Sequence, residues 1–492
     1  MKKFSVLLLC LFLMVALLAA CGKQAGVDAT EAKDYAGTFR VGFGRMNITP
    51  DVGIGLSGYG DDGTRRAKDI ESPLYVTCVA ITDESENTLL LFSLDNIRTE
   101  PTVCNPMRTE LSEMFQIPRE NIFSSATHSH NTPDSATGSY CVLLQQQSIA
   151  AAKEAMADRL PAQMYSGTAY SQGLNFVRHY VMSDGTYCGD GYGDVRVNEI
   201  VGHETEVDNA VQLIKFTREA GKDVVLMNWR AHPILFSGAS YYSISSCYVG
   251  ACRTEMEKTA DCHFAYFQGA SGNVRDESYI ASEENFRNHK ELGQKLAWCA
   301  LEILDDLKQV NTGPVEVKTV NYKGNVRRDP AEYAAAGAVY KSVIESGGTV
   351  AEAIAATGGM VNNTHVASGM NMRITQYNAG GGKFNLEIAA IAIGDVAFVS
   401  TPCEMFDNTG KQIKDASPYE QTFVLYLTNG RGKYLVSEPA FTNGCYEKEN
   451  SYFVKGTAEE LVTVYTDMLN EVHAEGLVDP KITTFDSKLP NG

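Results

Sequence analysis

Short apolar runs bounded by polar turns alternate along this chain with longer stretches whose apolar residues recur at helical spacing. That pattern predicts a mixed α/β fold rather than a sandwich or a bundle. Leu74–Thr82 and Thr88–Leu94 read as two strands around the polar turn Asp83-Glu84-Ser85-Glu86-Asn87. A helix is expected near Pro106–Phe115, then a strand over Asn121–Ala126, then a long helix over Ala136–Asp158. Val211–Phe216 and Val224–Trp229 form a hairpin through Glu219-Ala220-Gly221-Lys222. Helices near Tyr248–Ala260 and Glu283–Leu307 flank a strand at Phe264–Gln268. That strand leads into Gly269-Ala270-Ser271-Gly272-Asn273, whose glycines suit a tight turn or a close approach of backbone to ligand. Asp329–Gly348 is Ala-rich and helical, and Gly358–Ala367 reads as an inserted element. Leu386–Ile393, Val396–Ser400 and Thr422–Leu427 are the last strong strands, and no long linker divides the body.

The N-terminus breaks the pattern. Met1-Lys2-Lys3 precedes the apolar run Phe4–Ala20, which closes on Leu18-Ala19-Ala20-Cys21-Gly22. An ordinary secretory signal or an uncleaved anchor would share the charged start and apolar core, but a cysteine directly after Leu-Ala-Ala points to a lipoprotein signal. The expected organisation is a signal peptide over 1–20, a flexible tether over 21–37 starting from lipidated Cys21, and a folded body over 38–492. No other segment approaches the roughly 18 apolar residues of a spanning helix. The expected location is therefore the extracytoplasmic face of the cell membrane, with the lipid anchor as the link to it.

Composition narrows the partners. With 42 Lys and Arg against 60 Asp and Glu, the formal net charge of -18 argues against nucleic acid and against docking on anionic lipid through a basic patch. Of the 12 cysteines, Cys10 leaves with the signal and Cys21 is acylated. None of the others forms a Cys-x-x-Cys, so a structural zinc knuckle is not expected. Several of them sit in apolar runs that read as core thiols. Disulfide pairing and oligomeric state are left open by the sequence.

The candidate chemistry gathers at predicted strand ends, where functional loops of α/β folds lie. Ser125-Ala126-Thr127-His128-Ser129-His130 puts two imidazoles two residues apart, and alternate residues of an extended segment share a face. Arg230-Ala231-His232-Pro233, Thr401-Pro402-Cys403-Glu404 and Asn429 to Tyr434 follow three further strands. Two imidazoles and a carboxylate are usual donors for a catalytic zinc that keeps a position open for water.

In these words the chain resembles the neutral ceramidases and the bacterial family that shares their N-terminal domain. The matching segments run in the family's order: Val41-Gly42-Phe43-Gly44-Arg45 with Ile48-Thr49-Pro50, Thr127-His128-Ser129-His130, Asn228-Trp229-Arg230-Ala231-His232-Pro233, Pro402-Cys403-Glu404, Asn429 with Tyr434, and Tyr446-Glu447. The resemblance implies a mixed-sheet α/β catalytic domain without the immunoglobulin-like C-terminal domain of long forms. It implies a Zn2+ site made by His128, His232, Glu404 and Tyr434, with His130, Arg178 and Tyr446 on the substrate. The implied reaction is zinc-dependent hydrolysis of the amide of an N-acylated lipid, with water of pKa lowered toward about 7 as nucleophile. His130 then moves a proton or binds the oxyanion, Arg178 stabilises its charge, and Tyr434 ligates zinc or donates to the oxyanion.

Two words depart from the family. Where it has Gly-Asp-Val-Ser-Pro, this chain reads Gly272-Asn273-Val274-Arg275-Asp276, which excludes a serine-acyl route at this position. Cys403 stands in place of a glycine before Glu404. His179, His203, His263, His289, His365 and His473 are read as surface or loop residues, with His203 of Gly202-His203-Glu204 the best decoy. Asp95 either accepts from a metal ligand or caps the next helix. The alternatives to a lipid amidase are a zinc esterase or amidase for a small substrate and a non-catalytic surface lipoprotein that binds a lipid or glycan.

Overall fold

Alternating apolar strands close here into two stacked sheets. The computed structural model describes residues 35–59, 65–136, 138–189, 195–234, 238–283, 288–361, 364–474 and 482–490. The expected signal peptide, Cys21 and the expected tether as far as residue 34 lie outside them. Gly37–Gly492 forms one compact unit. No helix among the described residues is long and apolar enough to cross a membrane.

The larger sheet runs in the order His263–Gln268, Val224–Trp229, Ala210–Arg218, Leu160–Tyr170, Arg40–Asn47, Tyr75–Thr82, Thr88–Leu94, Ile122–Ala126, with Lys308–Val310 added on Leu160–Tyr170. The second sheet runs Gln421–Leu425, Val396–Ser400, Lys383–Ile393, Val315–Asn325, Thr483–Asp486. One core joins their inner faces: Val41, Phe43, Val79, Leu91 and Phe216 of the first meet Ala389, Ile391, Phe398 and Phe423 of the second.

Helices cover both outer faces. Gly138–Ala157 packs its alanines on the first sheet near Gly42 and Gly44, where an added Cβ would collide with the Ala155 and Ala151 carbonyls. Cys247–Ala260 and His289–Leu301 cover Val211, Leu213 and Val225, and Thr457–His473 covers the second sheet. Between Val315–Asn325 and Lys383–Ile393 the chain inserts three helices, Ala331–Glu345, Val350–Ala356 and Thr364–Gly380, with a small core of their own. The inserted segment read from the sequence is part of this unit.

The sheets are mixed, and their parallel pairs matter most for the site. Thr88–Leu94 with Ile122–Ala126, Val224–Trp229 with His263–Gln268, and Val396–Ser400 with Gln421–Leu425 are each parallel. Their carboxyl ends are stitched together. Tyr426 N–H donates to the Gln268 carbonyl at 3.1 Å, Asn429 N–H to Ser124 at 2.9 Å, and the Asn228 amide donates to Phe267 and Val424. Open α/β sheets bind ligands at such an edge.

Five strands of these sheets escape the periodicity argument: Arg40–Asn47, Leu160–Tyr170, Lys308–Val310, Val315–Asn325 and Thr483–Asp486. Leu160–Tyr170 carries an exposed Gln163 and half-buried Ser166, Gly167 and Thr168, so its alternation is blurred although it lies mid-sheet. Val315–Asn325 is masked in the same way by Glu316, Lys318 and Asn321. The helix expected from Pro106 begins at Pro101, a position where a missing N–H costs nothing, and Pro106 lies inside it.

Candidate metal centre

His128 leaves the strand Ile122–Ala126 through a backbone turn. Thr127 N–H donates to Leu94 and His128 N–H to Asn96, and His128 itself adopts φ +68. The extended segment inferred from the sequence is therefore corrected. His128 and His130 do converge, but by a left-handed turn past the strand end rather than by strand alternation. Their ring centroids are 4.8 Å apart and their Nε2 atoms 3.2 Å apart. His232 follows Val224–Trp229 by three residues, and its ring lies 4.8 Å from that of His128 and 5.7 Å from that of His130.

The backbone sets two tautomers. His128 Nδ1 lies 2.7 Å from the Ile97 carbonyl and His232 Nδ1 3.1 Å from that of Val274. A carbonyl can only accept, so each Nδ1 carries the proton and each Nε2 presents a lone pair. His232 Nε2 and His130 Nδ1 are buried with no hydrogen-bond partner. Burial pushes all three imidazoles below their ordinary range, His128 to about 4, so they are neutral at pH 7.

Glu404 enters through a ladder of two residue pairs. Glu404–Met405 runs parallel to Tyr434–Leu435, with Glu404 opposite Tyr434. Glu404 Oε2 lies 3.5 Å from His128 Nε2 and 3.7 Å from His232 Nε2. Burial raises its carboxyl, but His128, His232 and the Tyr434 hydroxyl outweigh that and hold it at about 2. Tyr426, just past the strand Gln421–Leu425, adds a hydroxyl 3.5 Å from the same oxygen. Burial, then Glu404, pushes the Tyr426 and Tyr434 phenols well up, so both remain protonated donors.

Arg178 links the strands Phe176–Val177 and His179–Met182. It is fixed to the variant loop: Arg178 N–H donates to Asn273, and Val274-Arg275 pairs antiparallel with Phe176-Val177. Its guanidinium donates to Glu447 Oε1 at 2.7 Å and to the Gly272 carbonyl at 2.9 Å, and reaches the Tyr434 hydroxyl at 3.5 Å. Tyr446 opens the short helix Tyr446–Glu449, edge-on to Tyr434 with centroids 6.0 Å apart. Arg275, in the serine position of the family word, is buried and meets Glu277 at 3.2 Å.

Thus His128, His130, His232, Glu404, Tyr434, Arg178 and Tyr446 are brought together from six separate stretches of chain. Tyr426 was overlooked: it stands just past the observed strand end but inside the strand expected over Thr422–Leu427. His179 was misplaced as a surface residue: it is buried between Glu204 and Glu447. His289 is also buried, against Glu71. His203 bonds the Val177 carbonyl and Glu283, away from the cluster. Asp95 takes neither of its expected roles. It accepts two contacts from Arg253 Nη2, at 2.7 and 2.8 Å, and the Tyr75 N–H. All ten cysteines among the described residues are free thiols.

The donor set fits a metal ion. A tetrahedral ion with bonds of about 2.0–2.1 Å holds its ligand atoms about 3.3 Å apart, close to the spacings between His128, His232 and Glu404. His128, His130 and His232 form a group able to hold an ion, with ligand atoms within 4.8 Å of one another. The orphaned Nε2 of His232 is the kind of buried lone pair that a metal satisfies.

No protein-family model and no curated protein matches the sequence. Among solved structures, the chain is similar to neutral ceramidase from Pseudomonas aeruginosa at 15% identity, with a TM-score of 0.68 over 91% of this chain and 76% of that one. It is equally similar to a ceramidase complexed with C2, at 15% identity and a TM-score of 0.67 over 92% of this chain and 77% of that one. The chain therefore has a neutral-ceramidase-like fold.

Proposed function

We propose that this chain is a zinc-dependent hydrolase of the neutral ceramidase type that cleaves the amide of an N-acylsphingosine-like lipid. The observation that carries the reading is one buried cluster: neutral imidazoles of His128 and His232 facing an ionised Glu404, with the Tyr434 hydroxyl and the Arg178 guanidinium beside them. In this reading His128, His232 and Glu404 hold Zn2+, and the Tyr434 phenol, opposite Glu404, stays protonated beside them as a donor. A zinc ion bound there supplies a hydrolytic nucleophile from water near neutral pH and polarises an acyl carbonyl.

The chain's own groups then have distinct tasks. His130, beside His128 but with Nδ1 unpartnered, accepts a proton and returns it to the leaving amine. Arg178 and the protonated Tyr434 phenol stabilise negative charge on the acyl oxygen. Tyr446 lines the substrate side of Tyr434. With arginine at position 275, no serine is acylated there. Residues 38–492 are the catalytic body. Residues 1–20 are the signal, and lipidated Cys21 with the tether to residue 37 holds the enzyme on the extracytoplasmic face of the membrane, close to lipid substrates.

The test is fatty-acid release by zinc-loaded protein from a short-chain N-acylsphingosine, beside a small N-acetyl anilide, a chelated sample and His128→Ala. Chelator-sensitive release from the N-acylsphingosine that the variant lacks is expected. Turnover of the anilide alone would reject the lipid substrate in favour of small amides. Turnover of neither by folded, zinc-loaded protein would favour a binding lipoprotein.

A further inference from the structure

Outside the metal ligands, one buried group of charges is a chain of four. Glu204 Oε2 lies 3.1 Å from His179 Nδ1, His179 Nε2 lies 2.8 Å from Glu447 Oε2, and Glu447 Oε1 lies 2.6 Å from Arg178 Nη2. All four side chains are less than 10% exposed. The far end is anchored, since the Asn443 amide donates to Glu204 Oε1 at 2.6 Å. Glu447 and His179 lie on segments 268 residues apart.

Both nitrogens of His179 face carboxylate oxygens, which at neutral pH only accept, so the ring is an imidazolium. Burial opposes its charge, but Glu447 and Glu204 overcome this and raise it to about 9. The sequence of charges is then minus, plus, minus, plus, and the buried group is neutral. His179, Cys445 and Glu447 also have the composition of a metal site. A direct 2.8 Å hydrogen bond between His179 and Glu447 leaves no room for an ion between them, and Arg178 on the other Glu447 oxygen repels a cation.

We propose that His179 and Glu204 are positioning residues: through Glu447 they hold the Arg178 guanidinium against Tyr434, where charge develops on the acyl oxygen. This rests on the hydrolase reading above. Glu447 spends one oxygen on each neighbour, Oε2 on His179 and Oε1 on Arg178. Removing the imidazolium frees Oε2. The carboxylate then turns to grip Arg178 with both oxygens, a fork-to-fork geometry it favours, and draws the guanidinium away from Tyr434.

The experiment is a double-mutant cycle on the zinc-loaded full chain with His179→Gln, Arg178→Ala and the pair together, reading kcat and KM for N-acylsphingosine hydrolysis. Zinc content and thermal melting are checked for each, and Glu204→Gln replaces His179→Gln if that variant does not fold. His179→Gln is expected to lower kcat by about 10²-fold, the cost of a misplacement of about 1 Å, with KM unchanged. Arg178→Ala is expected to lower it by about 10²–10³-fold. The double variant is expected to be no slower than Arg178→Ala alone, because His179 has nothing left to position. Losses that multiply, or wild-type kcat in His179→Gln, would overturn the proposal. If no acyl amide is turned over, the hydrolase reading has failed, and crystal structures decide the positioning. An Arg178–Tyr434 separation in His179→Gln longer than the wild-type 3.5 Å supports it, and an unchanged one overturns it.

Discussion

Glu404 and Tyr434 face each other across a parallel ladder only two residue pairs long. The chain between them turns back through Leu427, Asn429 and Lys433, all in the left-handed region, before Glu404 N–H donates to the Lys433 carbonyl at 2.8 Å. The backbone therefore fixes the carboxylate and the phenol side by side, independently of their side-chain contacts. Tyr434→Phe should keep the ladder and remove only the hydroxyl. We expect a kcat lower by about 10²–10³-fold, as for other lost oxyanion donors. Stability should fall by about 1.5–3 kcal/mol, since the phenol donates to a charged group. Steady-state kinetics and urea denaturation of the variant check both figures.

Gly58 is needed by His130. Its φ of +124 excludes most side chains, and an added Cβ would lie 2.8 Å from the Cβ and Cγ of His130. Gly58→Ala should destabilise the fold by about 1–3 kcal/mol and disturb the imidazole on which proton transfer depends. A thermal melt with parallel kcat measurement tests this; an unchanged rate would remove His130 from the chemistry.

The buried pair of Asp95 and Arg253 is structural. Asp95→Asn should cost about 3–5 kcal/mol by leaving the guanidinium unpaired, while the zinc stoichiometry stays the same. Denaturant titration with metal analysis separates this from a role in supporting the metal ligands, for which zinc would be lost.

The imidazolium of His179 links stability to pH. Its folded pKa of about 9 lies above the ordinary value of 6.5. Its contribution is therefore complete below about pH 6.5 and is lost as pH rises through about 9, on the order of 3 kcal/mol in all. Chelator-treated wild type should lose stability over that window more steeply than chelator-treated His179→Gln. Parallel pH profiles for the two proteins would contradict the protonated assignment.

Much of this was legible because the metal cluster obeys a local rule: His128, His232 and Glu404 each follow a recognisable apolar strand within a few residues. Tyr426 obeys the same rule and was missed because the strand Gln421–Leu425 stops short of the apolar run that contains it. The route by which His128 and His130 meet was misread, since nothing in Thr127-His128-Ser129-His130 signals a non-glycine residue at φ +68. The Glu204–His179–Glu447 chain had no local signal at all. His179 carries the pattern of any loop histidine, and its partners lie 25 and 268 residues away. The inserted helices illustrate a third case, with the first visible by its alanines and the third hidden by Asn, Thr and Gly at its surface.

The most direct test of the account is to titrate zinc into metal-free protein while following fatty-acid release from a short-chain N-acylsphingosine. Activity should rise linearly and break at one zinc per chain, and His232→Ala should give no rise. Release that is independent of zinc, or full zinc binding without release, would contradict a metal-dependent amidase at His128, His232 and Glu404.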